Sequence, residues 1–108
     1  MFDRTQGYDS WTWDEDKTTC KVSIGGEIDF LGSSKVRELF KKFIRETQGD
    51  VALYLDRLEY LDSSGLAVFI EARRILQEQG RNIQVLAIQR QVLKIFKLTH
   101  IDELFGIV

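Results

Sequence analysis

The stretch VALYLDRLEYLDSSGLAVFIEARRILQEQGRNIQVLAI (residues 51–88) contains the strand–helix–strand pattern that decides the fold. The runs VALYL (51–55) and IQVLAI (83–88) are continuously apolar, which is typical of strands that are covered on both faces. Between them, the loop DRLEYLD (56–62) leads into a helix that we predict to end near Gly80. This alternation predicts an α/β fold in which helices pack on a sheet.

An antiparallel hairpin is predicted ahead of this unit. Trp11 and Trp13 share one face of a first strand, and residues 14–17 form the turn. The favoured interpretation is that the two indole rings cover one face of the hairpin. The alternative is that they form an aromatic binding platform. Both interpretations agree with a weak homodimer along this strand. In the second strand, the apolar residues Cys20, Val22 and Ile24 alternate with polar ones. The glycine pair Gly25 and Gly26 is predicted to end this strand.

Two further helices complete the order β-β-α-β-α-β-α-β, a single domain with a mixed sheet. After the loop GEIDFLGSS (26–34), Ser33 or Ser34 is expected to cap the first helix and Gly49 to follow its end. A third helix over residues 91–98 precedes a terminal strand in LFGIV (104–108). The first helix shows the clearest helical spacing of apolar residues, at Val36, Leu39, Phe40, Phe43 and Ile44.

Composition excludes several classes of function. The 15 Lys and Arg residues nearly balance the 17 Asp and Glu residues, so no basic stripe points to nucleic acid. No apolar run approaches the ~20 residues of a membrane span, and MFDRTQGYDS lacks the apolar core of a signal peptide. With one cysteine, Cys20, we expect a cytoplasmic protein without membrane association. Residues 1–8 are expected to be a flexible N-terminus and residues 9–108 the domain.

The turn Asp62-Ser63-Ser64-Gly65 opens the second helix, with Asp62 as the expected N-cap. At about 100° per residue, Gly65 falls on the core face and Ser63 nearly opposite. An outward serine among apolar residues indicates a docking surface, unless another helix covers this side. The core face comprises Gly65, Val68, Phe69, Ala72, Ile75 and Leu76, and the outer neighbours of Ser63 are Leu66, Ala67, Ile70 and Arg74.

Three roles compete for the Ser63 hydroxyl. Capping alone needs no further function. Nucleophilic hydrolysis would need His100, the only histidine, as its base, and the chain has no G-x-S-x-G motif. Phosphorylation would place ~1.5–2 negative charges at the positive end of the helix dipole, where free backbone amides would accommodate them. In the same place the phosphate would oppose burial against a partner.

In this context the turn resembles the signature of the STAS domain of bacterial anti-sigma factor antagonists. The resemblance rests on LDRLEYLDSSGLAVFIEARRILQEQGRNIQVLAI, on VSIGGEIDF, which is similar to the family's Gly-Glu-Leu-Asp strand end, and on LKIFKLTHIDELFGIV. It covers roughly residues 9–108. Gly32 and Ser33 depart from the Ser/Thr-Ala that the family often has, so the first helix is expected to be capped differently.

The resemblance implies partner switching without enzymatic activity or a cofactor of the chain's own. An unphosphorylated antagonist binds an anti-sigma factor that is also a serine kinase, phosphorylation releases it, and a PP2C-type serine phosphatase restores binding. Carried over by position, Ser63 is the phosphoacceptor and Asp62, Ser64 and Gly65 complete the helix start. Asp29 matches an acidic residue of the kinase-facing surface. The alternative is a scaffold or ligand-sensing interaction module in another bacterial signalling circuit, without a phosphoswitch.

Overall fold

The computed structural model of the chain describes the backbone of residues 4–7 and residues 10–107 in full. The domain has five strands and three α-helices. Three strands come first, helices and strands then alternate, and a short 3-10 helix, Glu103–Phe105, follows the last α-helix. The strands are β1 (Arg4–Gly7), β2 (Trp11–Asp16), β3 (Lys21–Ile28), β4 (Val51–Leu61) and β5 (Ile83–Ile88). The helices are α1 (Phe30–Arg45), α2 (Ser63–Glu78) and α3 (Arg90–Leu98).

The sheet is mixed, as the sequence predicts. Its strand order is β1-β2-β3-β4-β5, with antiparallel pairing from β1 to β3 and parallel pairing from β3 to β5. The predicted hairpin is confirmed, since Trp13 lies opposite Ile24 in the register of β2 and β3. The predicted turn at residues 14–17 is wrong: β2 continues to Asp16, the turn is residues 17–20, and Cys20 lies in it with φ +58°. The parallel half follows from the two strand–helix–strand units, because each helix returns the chain to the same end of the sheet.

One hydrophobic core lies between the sheet and the helices, which pack on one face. Ring contacts run through it from β2 to the 3-10 helix, and they include edge-to-face pairs with centroids 5.0 Å apart for Trp13–Phe40 and 5.5 Å apart for Phe96–Phe105. Trp11 and Trp13 are both buried, so they cover the core and do not form an exposed platform. The prediction that both parallel strands are covered on two faces is wrong: Gln84 and Leu86 of β5 are exposed, because the described chain places no helix on that side.

The strands beside the helix starts are longer than predicted. β3 continues past Gly25 and Gly26, and β4 includes the segment predicted as a loop up to Leu61. Gly26 adopts φ +84° and passes so close to Ser10 that a Cβ would lie 2.3 Å from the Ser10 carbonyl oxygen. Register shifts absorb these irregularities, and parallel pairing resumes up to Ile28 opposite Leu61.

The two ends of the chain also differ from expectation. Residues 4–7 form β1, although no element is predicted there; residues 1–3 and 8–9 lie outside the described residues. The prediction of a terminal strand is wrong for residues 104–107, which form no strand. Val108 lies outside the described residues. The Phe105 and Gly106 N–H groups donate to the Asp102 and Glu103 carbonyls, and this local bonding takes donors that a strand would offer its neighbour. No helix within residues 10–107 is long and apolar enough to cross a bilayer.

Candidate partner-binding site

Two helix starts lie side by side at the carboxyl end of the parallel strands. Ile28 ends β3 opposite Leu61 at the end of β4, and the next residue of each strand, Asp29 or Asp62, is an N-cap. The Asp62 N–H donates to the Ile28 carbonyl oxygen at 3.2 Å, so the start of α2 is tied directly to the end of β3. The site residues predicted from sequence around Asp29 and Asp62 therefore share one end of the domain.

The start of α1 is earlier than predicted. Asp29 Oδ1 accepts a hydrogen bond from the Gly32 N–H at 3.0 Å, so Asp29 caps the helix and Phe30 is its first residue. The prediction that Ser33 or Ser34 is the cap is wrong. Ser33 is buried one turn inside the helix, where its hydroxyl donates to the Phe30 carbonyl at 2.9 Å, and Ser34 is exposed.

The start of α2 has the predicted cap. Asp62 Oδ1 accepts from the Ser64 N–H at 2.9 Å and from the Gly65 N–H at 3.1 Å. The carboxylate therefore satisfies these two amides, and neither serine is needed as the cap. Ser63 is exposed, and its hydroxyl has no hydrogen-bond partner among residues 10–107, while Ser64 is half-buried.

Gly65 is buried against the two paired strands. A Cβ at this position would lie 3.0 Å from the Leu61 Cβ and 3.2 Å from the Ile28 Cγ2, closer than most real Cβ contacts. The missing side chain thus lets the first turn of α2 lie directly on the strand ends, as the sequence predicts. The remaining core-face residues follow the prediction: Val68, Phe69, Ala72 and Leu76 are buried, and Ile75 is partly buried in the same core.

The outer face of α2 is narrower than predicted. Ala67, Ile70 and Arg74 are exposed, but Leu66 is only 8% exposed, so the prediction that Leu66 belongs to the docking surface around Ser63 is wrong. The helix has neighbours on both flanks. Glu71 accepts from Arg37 Nε of α1 at 3.0 Å, and Arg73 Nε donates to the carbonyl of Leu104 at 2.9 Å. A helix flanked in this way buries a wider arc than the helix-to-sheet contact alone predicts.

Sequence reasoning missed three exposed apolar side chains at this end. Phe30 and Leu31 are 73% and 84% exposed in the first turn of α1, and Tyr60 is 47% exposed near the end of β4. They were hidden because residues 26–34 and 56–62 were assigned to loops, in which no direction could be given to a side chain. The signal available was the composition of the loop itself: two large apolar residues directly follow an acidic residue.

His100 is far from this site. It follows the end of α3, which leads back from the carboxyl end of β5, whereas Ser63 starts α2 beyond the carboxyl end of β4. It is exposed, with φ +61°, directly after the last turn of α3. Ser63 and His100 therefore lie at opposite ends of the domain, and His100 is not placed to act as a base for the Ser63 hydroxyl.

Comparison with known proteins agrees with this architecture. The anti-sigma-B factor antagonist of Staphylococcus epidermidis is 25% identical over 87 residues, which cover 81% of each chain. An anti-sigma factor antagonist from Mycobacterium paratuberculosis superposes with a TM-score of 0.72 at 19% identity, over 96% of this chain and 81% of that one. The phosphorylated form of the Bacillus cell fate determinant SpoIIAA gives a TM-score of 0.59 at 17% identity, over 94% and 86%.

The family assignment rests on nearly the whole described fold. Residues 10–108 match the STAS domain, a range that begins just before β2 and includes both helix starts. The structural neighbours share the α/β architecture over most of their length. The chain therefore belongs to the STAS domain family.

Proposed function

We propose that this chain is an anti-sigma factor antagonist that regulates transcription by partner switching. In its unphosphorylated form it binds an anti-sigma factor that is also a serine kinase, and phosphorylation of Ser63 releases that partner. A PP2C-type serine phosphatase restores binding, and the chain itself catalyses nothing. The relatives named as anti-sigma factor antagonists support this assignment, as does the phosphorylated form of SpoIIAA among the structural neighbours.

The observation that carries the proposal is that Asp62, and not Ser63, caps the start of α2. Asp62 caps the helix through the Ser64 and Gly65 amides, which leaves the exposed Ser63 hydroxyl without a hydrogen bond to any residue from 10 to 107. A kinase can therefore reach this hydroxyl without unfolding the helix. A serine that served as the cap would instead lose its hydrogen bond on modification.

The same geometry gives the phosphate its effect on binding. Because Asp62 already occupies the Ser64 and Gly65 amides, a phosphate on Ser63 finds fewer free donors than the helix start alone would offer. It adds ~1.5–2 negative charges beside a carboxylate and next to the exposed Ala67. Burying that charge against a partner costs several kcal/mol, and about 4 kcal/mol weakens binding roughly a thousandfold.

The proposal is tested by incubating the chain with the purified anti-sigma factor serine kinases of its own genome, ATP and magnesium. We expect one addition of about 80 Da, the mass of a phosphoryl group, located on Ser63 by mass spectrometry. Ser63→Ala should abolish it and bind the kinase constitutively, whereas Ser63→Asp should bind poorly. Ser64→Ala is the matched control in the same turn and should be modified like the wild type. Equal modification of Ser63→Ala would refute the assignment.

A second candidate, a ligand-sensing interaction module, is favoured by a pocket at the other end of the domain. The pocket holds about 500 Å³ and is lined by polar side chains that include Arg73, Gln77, Asn82 and Glu103. The pocket is open to solvent, and its volume, though not its enclosure, is in the range of small-molecule sites. A module of this kind would carry no phosphate on Ser63, so the intact mass of the protein from its native cells separates the two functions.

A further inference from the structure

We propose that Phe30 and Leu31 anchor the partner, which presents an apolar pocket bordered by Lys and Arg side chains. This inference rests on the proposed function, because it describes the partner of the same surface. We call the surface formed by Phe30, Leu31, Ser63, Ala67 and Ile70 the docking face. Each of these residues is exposed, and together they span the outer sides of two adjacent helix starts.

The first turns of α1 and α2 lie at the same level along the helix axes. Arg37 and Glu71 join α1 to α2 through a 3.0 Å ion pair, seven residues after Phe30 and eight residues after Ser63. At about 1.5 Å per residue, both first turns lie about 10–12 Å beyond this ion pair. The two helices leave parallel, paired strands and therefore run in the same direction. The first turns of the two helices thus lie at the same end of the domain, so a partner that covers the Ser63 hydroxyl can also contact the aromatic ring of Phe30.

Such exposure needs an explanation that folding does not provide. Phe30 and Leu31 are 73% and 84% exposed, and the rest of the described chain leaves both largely uncovered. Large apolar side chains at the centre of an interface commonly supply most of its binding energy. A flexible loop would lose that energy in ordering, but these two side chains start a helix that Asp29 caps.

The two chain segments that form the helix starts carry charge of one sign. Residues 26–34 and 58–70 contain no Lys or Arg, and each of their acidic side chains is at least partly exposed: Glu27, Asp29, Glu59 and Asp62. The next basic residues along the chain have partners: Lys35 pairs with Glu38 at 3.5 Å and Arg57 with Asp14 at 2.8 Å. After Ile70, Arg73 donates to the Leu104 carbonyl at 2.9 Å and the exposed Arg74 pairs with Glu78 at 2.8 Å. An acidic rim complements a basic one, which raises the rate of association and discriminates against acidic partners.

A phosphate on Ser63 can oppose binding even to a basic partner, because the centre of the docking face loses its water on binding and the acidic residues around it, which we call the rim, do not. A phosphate on Ser63 would stand between the Phe30 side and the Ala67–Ile70 side of the docking face, where binding excludes water. The rim acids stay near solvent and keep their attraction. We therefore expect binding of the unphosphorylated chain to weaken with salt, whereas the ratio of affinities between the two phosphorylation states should change little.

The test uses the full chain and the purified serine kinase that phosphorylates wild-type Ser63. Kd is measured by calorimetry with a non-hydrolysable ATP analogue. The double variant Phe30→Ser/Leu31→Ser should raise Kd by about thirtyfold or more, the size expected for anchors at an interface centre. Leu98→Ser is the matched control, since this leucine is 79% exposed at the far end of α3, and it should leave Kd unchanged. Circular dichroism checks that each variant stays folded.

A second pair of variants tests the rim. Glu27→Gln/Glu59→Gln should raise Kd at low salt and flatten its salt dependence, while Glu46→Gln, which removes an exposed acid at the far end of α1, should do neither. Unchanged binding by the Phe30/Leu31 variant, with Ser63 still phosphorylated, would overturn the anchor inference and leave the proposed function intact. A wild-type chain that no such kinase modifies would overturn the proposed function and this inference together.

Discussion

The starts of α1 and α2 are two versions of one arrangement. Each begins after a paired parallel strand with an aspartate N-cap, and each has a glycine three residues after that cap, Gly32 or Gly65. They differ in what the first turn presents to solvent. In α1 it presents Phe30 and Leu31, and in α2 it presents Ser63.

The difference teaches how one scaffold supports two roles. An Asp cap and a glycine that allows close packing hold the first turn without help from the residues between them. Those residues are then free to face a partner. In our account the apolar turn of α1 supplies affinity and the hydroxyl of α2 supplies control, so changes to the scaffold should affect stability and changes to the presented side chains should affect binding.

The largest stability effect should come from filling the glycines. A Cβ at Gly65 would lie 3.0 Å from the Leu61 Cβ, and one at Gly32 would lie 2.7 Å from Nε1 of the buried Trp11. Gly65→Ala and Gly32→Ala should each lower the free energy of unfolding by about 1–3 kcal/mol, the usual cost of overpacking. Urea denaturation measures it, with Ser34→Ala as the exposed control. Stability equal to the wild type in both variants would mean that the close packing is not required.

A smaller effect is expected at the caps, and it should be unequal. Asp62 accepts from two amides and Asp29 from one, so Asp62→Ala should cost about 1–2 kcal/mol and Asp29→Ala about 0.5–1 kcal/mol. Asp62→Asn should recover most of the loss, because asparagine is also a good cap. The same urea titrations provide the values, and a larger loss at Asp29 than at Asp62 would reverse the comparison.

The smallest effect concerns helix ends, where the same comparison can be made. After α2 the left-handed position is Gly80, with φ +73°, and after α3 it is His100, with φ +61°. Because a side chain is strained in this region, His100→Gly should raise the free energy of unfolding by about 0.5 kcal/mol. The reciprocal Gly80→His should lower it by a similar amount. Thermal unfolding checks both, and shifts of the same sign would contradict the explanation.

What could be predicted from the sequence was local and periodic. The spacing along α2 placed Gly65 inward and Ser63 outward, and the alternation in β3 gave the hairpin. The errors arose where residues distant in sequence determine the burial of a side chain or the length of a strand. Leu66 is buried because α2 has neighbours on both flanks, and the length of β4 depends on pairing with β3 rather than on its own pattern. Phe30 and Leu31 were missed because the cap was sought at Ser33 or Ser34.

The most direct measurement is the affinity of the purified kinase for the chain before and after stoichiometric phosphorylation of Ser63, under one salt condition. We predict that Kd rises by about a thousandfold, which corresponds to about 4 kcal/mol, while circular dichroism stays unchanged. Equal Kd values for the two forms would contradict the claim that the hydroxyl at the start of α2 controls binding.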